Sequence, residues 1–170
     1  MTKPTHNDPI DALGAAYEKM YERAAENLHS TEKKSAQLLH KLIDEAKDKA
    51  VELKELSEED AAKLADWLKR DLDDTVNYLS ETGLELKDWL GFETTLLESA
   101  VLDLLLKSAD KTTVELLTMK DYARQPHTYH TGEITGPGTL VCDQCGEKLH
   151  FHRAGKIPPC PKCHATTFHR

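Results

Sequence analysis

The first 141 residues of this 170-residue chain contain no cysteine. A disulfide scaffold is therefore excluded for that stretch, and any thiol chemistry belongs to the C-terminal end. Aromatic residues are scarce, at 6% of the chain, while Ala, Leu, Glu and Lys are plentiful. That balance points to long helices with solvated faces. Neither glycine nor proline occurs between residues 15 and 82, so nothing there forces a helix to break. Long apolar runs are also missing. The richest, "LLESAVLDLLL" (96–106), is interrupted by Glu98 and Asp103 and falls short of the roughly 18 apolar residues of a membrane span. The N-terminal stretch lacks the apolar core of a signal peptide. No membrane association is expected, and the cytoplasm is the expected location.

Positive charge is short in the body of the chain. Residues 1–126 carry 17 Lys and Arg against 27 Asp and Glu, and residues 127–170 carry 5 against 3 together with six of the nine histidines. An acidic body repels phosphate backbones, which argues against non-specific nucleic-acid binding through it.

What is present is a helical pattern from about Pro9 to Tyr122. Leu13, Tyr17, Met20, Ala24 and Leu28 step by three and four along one face, and the stripe resumes at Ser35, Leu39, Leu42, Ala46, Leu53 and Leu56. A spacing near 3.5 residues predicts a long helix packed in a hairpin or coiled coil. If continuous, residues 9–54 would span roughly 70 Å, although the polar stretch Asn27 to Lys34 suits a stutter or kink. "LSEEDAAKL" marks a new helix start, with Ser57 as cap and Glu58, Glu59 and Asp60 at the positive end of the dipole. Leu64, Leu68, Leu72, Val76 and Leu79 continue that helix to a stop at Gly83. Further helices are expected over about 84–107 and 111–122. Charge pairs such as Glu18/Glu22/Arg23 and Glu45/Lys49 read as solvated helix surface.

"QPHTYHTGEITGPGTL" ends the helical period with three glycines and two prolines in sixteen residues. We place a boundary at Pro126, giving a helical hairpin or bundle over 1–126 and a small β unit over 127–170. Short β segments are expected at "GTLVC", "KLHFHR" and "TTFHR". The predicted fold is mainly α, coiled-coil-like, followed by a ribbon with rubredoxin-like knuckles.

Cys142 and Cys145 form one C-x2-C pair, and Cys160 and Cys163 form a second, with 14 residues between the pairs. Each pair turns the chain tightly enough for two sulfurs to share an ion, and two such knuckles supply a tetrahedral four-sulfur site. In a reducing compartment that spacing favours a metal over disulfides. A tail of 44 residues with little apolar content cannot fold on burial alone, whereas a structural zinc ion contributes about 10–16 kcal/mol of apparent binding energy to folding. One structural zinc is the expected ion, and a four-sulfur set also accepts iron. Four sulfurs leave no open coordination position, so the cysteines read as structural ligands and not as nucleophiles. Gly146 sits where a knuckle often needs a positive φ, and His164 occupies the matching position of the second knuckle.

Period two puts His150 and His152 on one face of a hairpin and Leu149 with Phe151 on the other. Their reading, and that of His127 and His130, is exposed surface. Arg153, Lys156, Lys162 and Arg170 give this end a modest positive face, which would meet an acidic partner or nucleic acid. No regular basic–aromatic interleaving supports nucleic acid.

The layout of helices followed by paired C-x2-C motifs is similar to that of rubrerythrins, which join a four-helix di-iron domain to a four-sulfur iron site. A di-iron centre needs two Glu-x-x-His motifs. Glu26 to His29 supplies one, and residues 41–126 contain no histidine, so an iron redox role is not expected. No Gly-rich phosphate loop leads into a helix and no nucleophile elbow occurs. The chain is expected not to be an enzyme and to have no small-molecule substrate.

"YHTGEITGPGTLVCDQCGEKLHF…PPCPKC" resembles the C-terminal signature of an uncharacterised bacterial zinc-ribbon-containing protein family, whose members pair a long helical region with a C-terminal ribbon. The resemblance is carried by Tyr129, His130, Gly132, Glu133, Gly136, Gly138, Leu140, Val141, the four cysteines and Pro161, and less specifically by "KRDLDD" (69–74). His164, where the family has Gly, is a departure. The resemblance implies a four-cysteine zinc site and supplies no activity. The functional expectation is a zinc-binding interaction protein that contacts a protein partner or a second copy of itself through its helices. Nucleic-acid or transcription-related binding through the ribbon is the alternative.

Overall fold

The computed structural model of the chain describes residues 9–29, 36–82, 90–91 and 127–170. Among the described residues three helices lie in the N-terminal part: α1 (Pro9–His29), α2 (Ala36–Glu52) and α3 (Glu58–Thr82). The C-terminal part holds six short strands: β1 (Tyr129–His130), β2 (Ile134–Thr135), β3 (Gly138–Cys142), β4 (Lys148–Phe151), β5 (Gly155–Lys156) and β6 (Thr167–His169). They form a four-stranded sheet in the order β1-β6-β3-β4 and a two-stranded sheet of β2 and β5. Every pairing is antiparallel. Among the described residues no helix is long and apolar enough to cross a membrane. The expected boundary at Pro126 and the expected helices over 84–107 and 111–122 lie outside the described residues, except for Leu90 and Gly91.

The apolar stripe of the first helix does what its period demands. Tyr17, Met20, Ala24 and Leu28 are buried, with Leu13 packed against them at the edge. From α2 come Leu39, Leu42 and Ile43, and from α3 Leu64, Ala65, Leu68 and Leu72. Leu90 joins the same cluster, and so do Ile134 and Ala154 from the C-terminal part.

Residues 9–54 are not one rod. A continuous helix would hold residues 23 and 55 about 48 Å apart. Instead, Arg23 Nη1 lies 2.8 Å from Glu55 Oε2, and Lys19 Nζ lies 2.5 Å from Glu55 Oε1. Hydrogen bonds from Arg23 and then Lys19 hold the Glu55 carboxyl down to about 2. α1 and α2 thus pack side by side. α2 and α3 run antiparallel, since His40 meets Asp73 at 2.9 Å and Asp44 meets Lys69 at 2.7 Å.

The end of α2 corrects the extended stripe. The helix stops at Glu52, and Lys54 takes a φ of 57°. Glu55 N–H donates to Ala50 O at 2.9 Å and Lys54 N–H to Val51 O at 3.0 Å. This is a Schellman closure made without glycine, which satisfies carbonyls the helix end would otherwise orphan. Leu53, expected inside, is left 49% exposed by that turn. The start of α3 matches expectation: Asp60 N–H donates to Ser57 Oγ at 3.2 Å, and three acidic residues occupy the first turn.

Two presumed surface charges are committed elsewhere. Arg23 pairs with Glu55, as above, and Glu18 Oε1 accepts the Ala154 N–H at 3.0 Å, tying α1 to the segment between β4 and β5. One turn earlier, Gly14 lets that same segment approach. A Cβ at residue 14 would sit 2.9 Å from Ala154 O. Glycine inside a helix ordinarily costs about 1 kcal/mol relative to alanine, so Gly14→Ala would stabilise an isolated helix. Here it is expected to destabilise the whole protein by about 1 kcal/mol or more, because backbone must move. Denaturant unfolding of the variant against the wild type measures the sign.

Candidate metal centre and its anchoring

The two C-x2-C motifs fold as matched knuckles. In the first, Gly146 N–H donates to Cys142 O at 3.0 Å and Cys142 N–H to Glu147 O at 2.8 Å. In the second, His164 N–H donates to Cys160 O and Cys160 N–H to Ala165 O, both at 2.9 Å. Gly146 and His164 both have positive φ, 72° and 61°. The position read from the sequence as needing glycine thus has the geometry that glycine tolerates, and the second knuckle accepts a histidine there.

The four sulfurs converge. All four Sγ atoms lie within 4.8 Å of one another, with Cys142 to Cys163 at 3.5 Å and Cys145 to Cys160 at 3.6 Å. A disulfide needs about 2.05 Å, and the four cysteines are free. An ion with four sulfurs at about 2.3 Å requires tetrahedral edges of about 3.8 Å, which this cage matches after small adjustment. The four cysteines are positioned to hold a metal ion, and among the described residues no other group of His, Cys, Asp or Glu is so placed.

Crowding sets their proton affinities apart. The Cys145 thiol gains from the Glu147 backbone N–H, yet burial and the three neighbouring thiols push it up to about 12. Burial opposes ionisation of Cys160, but backbone N–H groups of Cys163 and Lys162 and the adjacent thiols bring it down to about 7.

Behind the cage lies a small core: Tyr129, Leu140, Leu149, Ile157 and Phe168 with Cys142 and Cys160. β3 and β4 alternate as expected. Leu149 is buried and Phe151 half-buried, while His150 and His152 face outward. His150 Nδ1 is 2.7 Å from Thr139 Oγ1, which also donates to Leu90 O at 2.5 Å.

A second cluster, which sequence reasoning missed, fixes this assembly to the helices. Its centre is Asp71, 4% exposed. Asp71 Oδ2 accepts from Tyr17 Oη at 2.5 Å, Gly136 N–H at 2.8 Å and Thr135 Oγ1 at 3.3 Å. Arg70 Nε donates to Asp71 Oδ1 at 3.1 Å, and the same guanidinium reaches Glu133 and Ile134 O. Asp74 accepts from Tyr129 Oη and lies 2.6 Å from His127 Nδ1. Arg170 donates to Thr135 Oγ1 at 2.8 Å and Tyr129 Oη at 3.1 Å. Two guanidinium carbons lie over the Tyr129 ring, Arg70 at 3.9 Å and Arg170 at 5.3 Å from its centroid. Burial, with the Asp71 carboxylate nearby, holds both tyrosine hydroxyls protonated far above their ordinary range.

"KRDLDD" is therefore divided by helical period. Lys69 and Asp73 face α2, Arg70, Asp71 and Asp74 face the C-terminal part, and Leu72 faces the core. The available signal was an aspartate three residues after Leu68, on the apolar stripe itself. Arg170, read as part of a positive face, points inward, and Lys162 lies 3.9 Å from Glu147. His127 and His130 are partnered, the latter with Glu133 at 3.2 Å. Glu26 is exposed, as a helix-surface residue should be, while the side chain of His29 lies outside the described residues.

Paired knuckles on a small antiparallel sheet define the ribbon class of metal-binding proteins. The chain belongs to the family described as "Zinc-ribbon containing domain", which matches residues 26–170. It is 26% identical over 129 residues to an uncharacterised protein, YbeL, of Escherichia coli strain K12, covering 76% of this chain and 79% of that protein. The YbeL proteins of the O6:H1 and O157:H7 strains match to the same extent. No solved structure matches the chain.

The positive φ at residue 164 yields a test. His164→Gly is expected to leave stability unchanged or raise it by up to about 1 kcal/mol, since αL strain and unfolded-state entropy oppose each other. His164→Val is expected to lower it by about 1–2 kcal/mol, because a β-branched side chain fits αL poorly. Thermal unfolding of the two variants in the same metal state separates them.

Proposed function

We propose that the protein binds one structural zinc ion through Cys142, Cys145, Cys160 and Cys163, in a reducing compartment. On this reading it works as a non-enzymatic module that associates with a protein partner or a second copy of itself. The observation that carries it is the convergence of four sulfurs within 4.8 Å. Four protein ligands complete a tetrahedral ion and leave no place for water or substrate. Charged, solvated helix faces, with pairs such as Lys41–Glu45 and Lys63–Glu59, support a surface built for contact and solubility. The inward turn of Arg170 and the Lys162–Glu147 pair weaken the case for a nucleic-acid role through the ribbon.

Natively purified protein is expected to carry about one zinc per chain and no visible absorbance from iron–sulfur charge transfer. Loading the metal-free, reduced protein at pH 7 is expected to release protons, because a metal binds thiolates and the Cys145 and Cys163 thiols are held above their ordinary range in the metal-free cage. Affinity then falls as pH drops. Metal analysis and an indicator-dye titration read both, and protein that holds no zinc would overturn the metal assignment. Light scattering and cross-linked pull-down test association; an inert monomer that captures nothing would count against that half of the reading.

A further inference from the structure

We infer that the metal centre and the helices form one cooperative unit, coupled through the clamp of Tyr17, Asp71, Asp74, Tyr129 and Arg170, so that losing the ion loosens the helical core. The inference rests on the proposed zinc site and goes beyond it, because a structural ion in a ribbon need stabilise only the ribbon.

A short physical chain joins the two ends. Cys142, a cage residue, pairs across strands with Phe168, and Phe168 pairs with Tyr129. All three belong to the same buried cluster. The Tyr129 hydroxyl then leaves that cluster and bonds Asp74 on α3 and Arg170. Two cross-strand steps therefore separate the sulfur cage from the helices.

The clamp cannot close without a folded ribbon. Asp71 and Thr135 are the two buried polar residues among the described side chains, and they bond one another. Two donors to Asp71 Oδ2, Thr135 Oγ1 and Gly136 N–H, are held in place by β2 and the turn after it. β2 pairs with β5, and Ile157 beside β5 exchanges backbone hydrogen bonds with Gly132 and Glu133. The β2–β5 pairing and the Ile157 bonds lie within residues 127–170, the stretch that includes the two knuckles. Ile134 and Ala154 cover the helical cluster itself, and Gly136 leaves room for the Tyr17 hydroxyl, 3.0 Å from where a Cβ would stand. The ribbon's own core is too small to hold its shape without the ion. When the ribbon opens, helices α1 and α3 lose an apolar cover and the donors that satisfy a buried carboxylate. Reciprocity then requires that breaking the clamp weakens the hold on the metal.

The test uses the full chain, purified and assayed for zinc, then stripped with a chelator under reducing conditions. Helix melting is followed by circular dichroism at 222 nm. In the wild type, stripping is expected to lower the helical midpoint by about 5 °C or more. Asp71→Asn should shrink that gap to within a few degrees and weaken zinc affinity about tenfold or more. Tyr129→Phe, which removes one hydroxyl and keeps the ring, should fold and lose zinc affinity by a smaller factor of about three to ten. Should Asp71→Asn fail to fold, the wild-type comparison and Tyr129→Phe still decide the matter. Helices that melt at one temperature with and without zinc would overturn the coupling. So would a Tyr129→Phe protein that binds zinc as tightly as the wild type. A wild type that holds one zinc but shows no coupling leaves the zinc assignment standing; a wild type that holds none removes both.

Discussion

A carboxylate at the boundary between helix and sheet organises this molecule. Asp71 sits on the buried face of α3 beside Leu68 and Leu72, and burying it is tolerable only because donors arrive from α1, from its own helix and from the β2 turn. An isolated charge in such a place costs far more than a hydrogen bond returns. The constraint runs outward from there. Tyr17 must project from α1 at the right level, Gly136 must carry no side chain, and the ribbon must dock in one orientation. Among the described residues no buried side-chain nitrogen or oxygen lacks a partner, so the polar boundary is fully satisfied and hence specific.

The sulfur cage and the clamp divide the work. The cage has the geometry of an ion site and little apolar mass around it, while the clamp has many directional contacts. A ribbon tethered only by a flexible linker would be free to reorient, and a helical bundle with an uncovered aspartate would be poorly packed. Residues of "KRDLDD" and of "YHTGEITGPG" meet as two halves of one contact surface.

What was legible in the sequence was local. Two C-x2-C pairs at this spacing dictate knuckles, and the position of Gly146 and His164 within them dictates a positive φ that both adopt. The 3.5-residue stripe located the buried faces of α1 to α3, and the run "GTLVC" matched β3 residue for residue. What was illegible depended on distance or on brevity. β1, β2 and β5 are two residues long, too short for any alternation to show. Lys54 closes α2 in a conformation that glycine normally advertises. Glu18 and Arg170 carry the charge of surface residues, and only the fold reveals that each reaches across more than thirty positions to a partner inside. Aspartates on an exposed-looking acidic helix hid the one that mattered.

The clamp also has an order in time. Asp71 leaves the ribosome about 100 residues ahead of Arg170, which at 5–20 residues per second is about 5–20 s. Throughout that interval α1, α2 and α3 exist without the strands that cover them, and the carboxylate is free to stay hydrated. Assembly of the native interior is therefore deferred until residues 127–170 have emerged and their thiols have gathered. Until then the three helices are the more open target for proteases.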